Sequence, residues 1–385
     1  MKSLETYTKA KLDAIDAKAQ RRFLFDHSRS ADMSATRESW GQIVSFTDND
    51  YLGLSTDPAV IDAAQKAMAQ YGAGAGASRL VTGNHPLHRD LEKKIAQMKG
   101  TEDAVVFGSG YMANTGVIPT FLGKQDVIFA DELIHTSLHA GIKLSGATVY
   151  FFNHNDCDHL KELLRQYRHQ YPHAMIVVDG VYSMDGDMAP LKKQGQIAKV
   201  FDCWLYSDDA HGFGVVGGGK GSTVAQEAEG LIPFQMGTLS KAIGSYGGYL
   251  AASHAVCELL RSRSRSLIYT TALPPAVIAA SIRSLEIIET DKERIQRPVI
   301  LAQRFADALN LPNPTTPIVP LIMGSEEDTL AASKSLADQG YLAWAFRPPT
   351  VAPGTSRLRF CFSATHSDAQ VDGLIQACLS IGLLA

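Results

Sequence analysis

The sequence predicts an α/β protein, with a large part built on a mostly parallel sheet and a smaller α+β part at the carboxyl end. Three observations carry this. Short β-rich apolar runs alternate with helical segments through the middle of the chain. Long helical patterns take over near residue 280. Polar and small residues gather just after the strand candidates, where ligands sit in parallel α/β sheets.

Taken in order, "MKSLETYTKAKLDAIDAKAQRRFLFDH" reads as an amphipathic helix and lacks the apolar centre of a signal peptide. Residues 1–45 are therefore expected to form an N-terminal helical segment. A large domain is expected over 46–280. Its strand candidates are "AVVFGSG" (104–110), "DVIFAD" (126–131), "ATVYFF" (147–152), "AMIVVDG" (174–180), "CWLYSDD" (203–209) and "GGYLAA" (247–252). The intervening stretches, such as "DHLKELLRQYRHQY" and "LKKQGQIAKVF", are long enough for crossover helices. Residues 281–385 carry a long helical run, then "PIVPLIMG" and "AWAFRPPTVAPGTSRLRFCFSATH", and read as the small α+β domain.

The net charge of -4 gives no basic excess for nucleic acid or an anionic membrane surface, and no apolar run approaches a membrane span. Five cysteines without a C-x-x-C argue against a disulfide framework or a zinc site. A reduced, cytoplasmic protein is expected. "RSRSRS" (261–266) is the one basic cluster and reads as a solvated helix face, with a contact to an anionic substrate or partner as the alternative.

Six segments can carry chemistry. "GTLSKAIGSYGGYL" (237–250) sets Lys241 between hydroxyl residues and glycines. An amine attacks a carbonyl only when unprotonated, so such a lysine needs burial or a cationic neighbour. Thr238 and Ser240 can bond a phosphate or ring oxygen, and Gly244, Gly247 and Gly248 are expected to let a flat ligand approach the backbone. "LYSDDAHGFG" places Asp208 and His211 just past a strand, where a carboxylate can hold a protonated pyridine nitrogen. "FGSGYMANTG" runs strand, Gly-Ser-Gly, helix, which suits an anion at the helix N-terminus. "DELIHTSLHAG" puts His135 after another strand, and "VDGVYSMDGD" adds Asp179 and Ser183. Arg359 alternates with apolar residues in "GTSRLRFCFSATH", and an inward arginine needs a carboxylate.

Together these segments resemble the α-oxoamine synthases, pyridoxal-phosphate enzymes of the type I aminotransferase fold. The resemblance runs from "FTDNDYLGLS" (46–55) through "GAGAGASRLVTGNHPLHRDLE" to "SATH", with "VYSMDGDMAPL", "DDAHGFGVVG", "TLSKAIGSYGGY", "IYTTALPP" and "RPPTVAPGTSRLRF" as ordered motifs. It implies pyridoxal 5'-phosphate as cofactor and Lys241 as the lysine that carries it. It implies Asp208 as partner of the pyridine nitrogen, His211 and Ser183 near the ring hydroxyl, and His135 stacked on the ring. Ser109, Gly110, Tyr111 and Thr238 would hold the phosphate. Asn49 would lie near the reacting centre and Arg359 would hold the amino-acid carboxylate. Thr350 would contact the acyl substrate, Arg347 a far carboxylate, and Arg22, or Arg21 in the alternative register, would bind substrate. The resemblance also implies a homodimer with sites at the interface, Thr271 reaching the partner's phosphate.

The branch that joins L-alanine to a pimeloyl thioester, on CoA or acyl carrier protein, is favoured by "RPPTVAPGT". Other branches pair glycine with acetyl- or succinyl-CoA, or serine with a long acyl thioester, or make an acyl-derived signal molecule. A non-catalytic subunit would lack the lysine, and a plain aminotransferase would need no acyl pocket. Lys220 stands where many relatives have arginine, and Phe213 at a position that is threonine or phenylalanine among them.

Overall fold

The computed structural model describes residues 2–17, 21, 24–37 and 41–384. At its centre is a seven-stranded sheet in the spatial order Asp103–Phe107, Gly248–Ala252, Phe234–Thr238, Trp204–Asp208, Ala174–Asp179, Val127–Asp131, Thr148–Phe152. Only Gly248–Ala252 runs against the rest. Helices such as Gly110–Phe121, Thr136–Ser145, Cys157–Tyr167 and Leu191–Val200 make the crossovers. Successive strand residues point to opposite faces. Thus Ile128 and Ala130 enter one apolar cluster, with Val105 and Val177, while Val127 and Phe129 enter another, with Ile176 and Val178.

The strand Phe234–Thr238 escapes the sequence reading. Its residues Gln235 and Gly237 interrupt the apolar run, yet all five positions are buried. Gly237 is required because a Cβ there would strike the Tyr249 hydroxyl on the neighbouring strand.

Among its described residues, the N-terminal segment is helical only at its start. Lys2–Asp16 is a helix with no buried residue. Ser34–Arg37 and Gly41–Ser45 then pair antiparallel, and Gly41–Ser45 pairs parallel with Tyr341–Leu342 near the other end of the chain. A hairpin whose apolar partners lie some 300 positions away leaves no local period to read.

The carboxyl-terminal part holds a three-stranded antiparallel sheet, Ile318–Gly324, Ser356–Cys361 and Trp344–Phe346. Its core joins Phe46, Phe305, Leu336, Phe360 and Leu374. Position 280 falls inside the helix Pro275–Thr290, whose Ile278, Leu285 and Ile288 belong to the main core. The change of core occurs within the next helix, Lys292–Ala308, where Ile295 packs on the main core and Leu301 and Phe305 on the small one.

"RSRSRS" is not one solvated face. The helix breaks at the buried Ser264, Arg261 pairs with Asp103 and Glu258, and the Ser266 hydroxyl donates to the Met112 carbonyl. All five cysteines are free thiols, and no helix among the described residues is long and apolar enough to cross a membrane.

Candidate active site

The sheet brings its chemistry to one edge. Asp179 and Asp208 are register partners at the carboxyl ends of adjacent parallel strands. Ser109, His135 and Lys241 follow the ends of three other strands. They line a cavity of about 220 Å³, together with Gly110, Tyr111, His211, Thr238 and Ser240.

Ser109 caps the helix Gly110–Phe121, its hydroxyl accepting from the Met112 amide at 3.1 Å. Gly110 and Tyr111, at the start of that helix, line the cavity, where a helix N-terminus suits an anion. The glycines after Lys241 serve a different purpose from the one expected. A Cβ on Gly248 would stand 2.5 Å from the Gly110 amide nitrogen. At Gly244 (φ +68°) it would stand 2.3 Å from the Ser55 amide nitrogen. These glycines close chain on chain, and neither they nor Gly247 line the cavity.

Asp208 is buried and fixed from two sides. Its carboxylate accepts from the Asn114 amide at 2.8 Å and from the Ala210 backbone at 3.0 Å. Asn114 is held in turn by Tyr206, which donates to its Oδ1 at 2.7 Å, and donates to the Ser137 hydroxyl at 2.8 Å. Asp179 lies beside this carboxylate. Burial, and then the charge of Asp208, push its acid strongly toward the neutral form. Burial lowers the His135 pKa against the pull of Asp208, and its Nδ1 lies 2.7 Å from the Ser137 hydroxyl.

Lys241 Nζ lies 2.7 Å from His211 Nε2. Burial lowers the amine's pKa to about 8, against the opposing pull of Asp208 and Asp179 and with help from Arg359. His211 is buried, and burial followed by the charges of Lys241 and Arg359 keeps its ring neutral. Its Nδ1 is 2.7 Å from the Tyr51 hydroxyl. Asn49 Oδ1 then joins Tyr51 at 3.2 Å to Arg359 Nη2 at 3.1 Å. Arg359, only 4% exposed, also donates to the Ser183 carbonyl at 2.8 Å and lies over the Phe346 ring. Its Nε is buried without a partner among the described residues. A guanidinium nitrogen left so calls for an anion.

The remaining expected residues stand apart from the cavity wall. Ser183 meets the site through its carbonyl rather than its side chain. Thr271 is exposed and forms an isolated bridge with Ser78. Thr350 is exposed, and its amide donates to the carbonyl of the half-buried Arg347. Arg22 lies outside the described residues, and Arg21 pairs with Asp16 on the exposed helix end. Asn114, Ser137, Tyr206 and Tyr51 were not singled out in the sequence. The first three sit on apolar-looking helix or strand segments, so only the fold shows which way their polar atoms point.

The aminotransferase class I and II family model matches residues 41–378. The chain belongs to that family. Its fold is the type I fold of pyridoxal-phosphate aminotransferases. Among curated members, a putative 8-amino-7-oxononanoate synthase of Acidiphilium cryptum is 53% identical over 98% of this chain and 97% of its own. An 8-amino-7-oxononanoate synthase of Maricaulis maris is 51% identical over 98% and 96%. Among solved structures, a lysine-to-alanine variant of a serine palmitoyltransferase of S. paucimobilis, with a bound PLP–myriocin aldimine, superposes with a TM-score of 0.90 at 29% identity, over 100% of this chain and 99% of that one. The aminotransferase-family fold is thus shared with both activities, and the sequence lies much nearer the first.

Proposed function

We propose that this chain uses pyridoxal 5'-phosphate to condense L-alanine with a pimeloyl thioester, giving 8-amino-7-oxononanoate on the way to biotin. The alanine Cα bonds to the thioester carbonyl carbon, the C–S bond breaks to release CoA or acyl carrier protein as a thiolate that solvent protonates, and the alanine carboxylate leaves as carbon dioxide while a proton returns to Cα in its place.

The observation that carries this reading is the joining of Lys241, an amine near pKa 8, to a buried Arg359 with an unpartnered Nε. One residue suits a proton at alanine Cα, the other its carboxylate. The curated relatives' name supports alanine and pimeloyl as the pair.

The residues fit the cofactor. The helix start at Ser109, Gly110 and Tyr111 suits a phosphate, and the Thr238 hydroxyl, which donates to the Gly247 carbonyl at 2.9 Å, lies on the same cavity wall. Asp208, immobilised by Asn114, suits a pyridinium nitrogen. His135 lies where it can cover a flat ring, and His211 where it can face a ring hydroxyl. Bound there, pyridoxal phosphate withdraws the electron pair left at Cα when its proton departs. Lys241 takes that proton, and Arg359 holds the carboxylate so that the C–H bond stays in reach. Burial of His211, Asp208 and Asp179 keeps water from competing.

Thr350 and Arg347 lie on the turn that follows the strand Trp344–Phe346, and we assign them to the acyl chain. The protein works in the cytoplasm as a homodimer with Thr271 reaching the partner's phosphate. Leu80, Val81 and Tyr269, which are exposed beside the Ser78–Thr271 bridge, suit that interface.

Expression in a bacterium lacking its own 8-amino-7-oxononanoate synthase tests this reading. Growth without biotin is expected from the wild-type chain and not from Lys241→Ala. No growth with well-expressed wild type, or growth with the variant, would contradict it.

A further inference from the structure

Four hydrogen bonds join Arg359, Asn49, Tyr51, His211 and Lys241 in one line. Its ends are pinned. Arg359 has no acceptor, so the Asn49 atom facing it at 3.1 Å is the amide oxygen. That oxygen cannot donate to Tyr51, so the Tyr51 hydroxyl donates to it at 3.2 Å. The Tyr51 oxygen is then left to accept from His211 Nδ1 at 2.7 Å. At the other end, a protonated Lys241 is also a donor only, and it faces His211 Nε2 at 2.7 Å. Both ends give the same arrangement.

We propose that Tyr51, oriented by Asn49, fixes His211 with its proton on Nδ1, so that a bare Nε2 faces Lys241. Tyr51 is thus a positioning residue that acts on the lysine through the imidazole. With Nε2 bare, the neutral His211 accepts the hydrogen bond of a protonated Lys241 while every other bond in the line keeps its direction. Tyr51 is fully buried, and that burial holds its phenol in the protonated form this needs. The imidazole gives the lysine a place to share its proton whenever the amine is free. The proposal rests on the reading of Lys241 as the proton-carrying group.

Histidine-selective nitrogen-15 labelling tests it, on protein freed of pyridoxal phosphate, with the His211 signals assigned by their loss in His211→Gln. The wild-type ring is expected to carry its proton on Nδ1 with Nε2 bare. Tyr51→Phe should shift the proton toward Nε2 and lower kcat about tenfold, with KM for alanine changed by less than about twofold. A wild-type proton on Nε2, or a Tyr51→Phe ring with an unchanged tautomer, would overturn the proposal. The wild-type spectrum needs no variant, so a misfolded Tyr51→Phe leaves the test intact. Turnover retained in Lys241→Ala would defeat the lysine's assignment instead and leave the tautomer result standing.

Discussion

At Lys241 the chain holds an amine where it is least comfortable as a cation. The ordinary value of 10.5 falls to about 8, through burial that outweighs Asp208 and Asp179. The unfolded chain therefore binds the extra proton between pH 8 and 10.5, so this site's contribution to stability is present above 10.5 and lost as pH falls through 8. In the cofactor-free protein, the stability of wild type relative to Lys241→Met should rise across that window, by up to about 3 kcal/mol. Urea midpoints of the two proteins at pH 7, 8, 9 and 10 measure it, and a difference that falls with pH would refute it. Asp208→Asn should lower kcat by roughly 10²–10³, the scale of a lost catalytic electrostatic contact. Steady-state kinetics at saturating cofactor checks this. Lys241, Asp208, His135 and His211 were legible because each follows an apolar run with small or charged neighbours. Tyr51 was not, since a tyrosine in "NDYLGLS" reads as core until the fold sets its hydroxyl against His211.

The strand ends and the loops beyond them hold these residues in place. His154 follows the strand Thr148–Phe152 and bridges Asp131 at 3.0 Å and Asp187 at 2.8 Å. Burial pulls its pKa down, but the two carboxylates outweigh that and raise it to about 10. The imidazolium stabilises fully below the ordinary pKa of 6.5, and that gain disappears as pH rises through about 10. His154→Gln should cost about 1.5–3 kcal/mol at pH 6, the scale of hydrogen bonds to charged groups. The cost should shrink toward pH 10, as read from denaturant midpoints, and a pH-independent cost would contradict the ion-pair account. Gly244→Ala should destabilise by more than about 1 kcal/mol, since a Cβ would meet the Leu54–Ser55 backbone and φ is positive. Thermal melts of the two proteins decide it. At this scale the alternation of strands and helices was legible, because each central strand is buried on both faces and so reads as a continuous apolar run. The strand Phe234–Thr238 and the paired strands Ser34–Arg37 and Gly41–Ser45 were not, because glycine and glutamine hide the first and distant partners complete the second.

Across the whole molecule, the line from Arg359 to Lys241 joins the small sheet to the central one through Asn49 and Tyr51 of the N-terminal stretch. No single segment of sequence holds that connection, so only the fold shows it. The proposed homodimer belongs to this scale as well. Val81→Asp, at a side chain 74% exposed beside the Ser78–Thr271 bridge, should shift the protein toward monomer and reduce turnover. Sedimentation velocity, with activity measured at the same concentrations, checks it, and an unchanged dimer would remove that face from the interface. The central claim concerns the reaction itself, and product mass tests it most directly. Purified protein with pyridoxal phosphate is incubated with alanine, glycine or serine, each against acetyl-, succinyl-, pimeloyl- and palmitoyl-CoA. The expected result is a decarboxylated condensation product from alanine and pimeloyl-CoA, far above every other pair. A dominant product from another pair, or transamination of alanine with no carbon dioxide released, would contradict it.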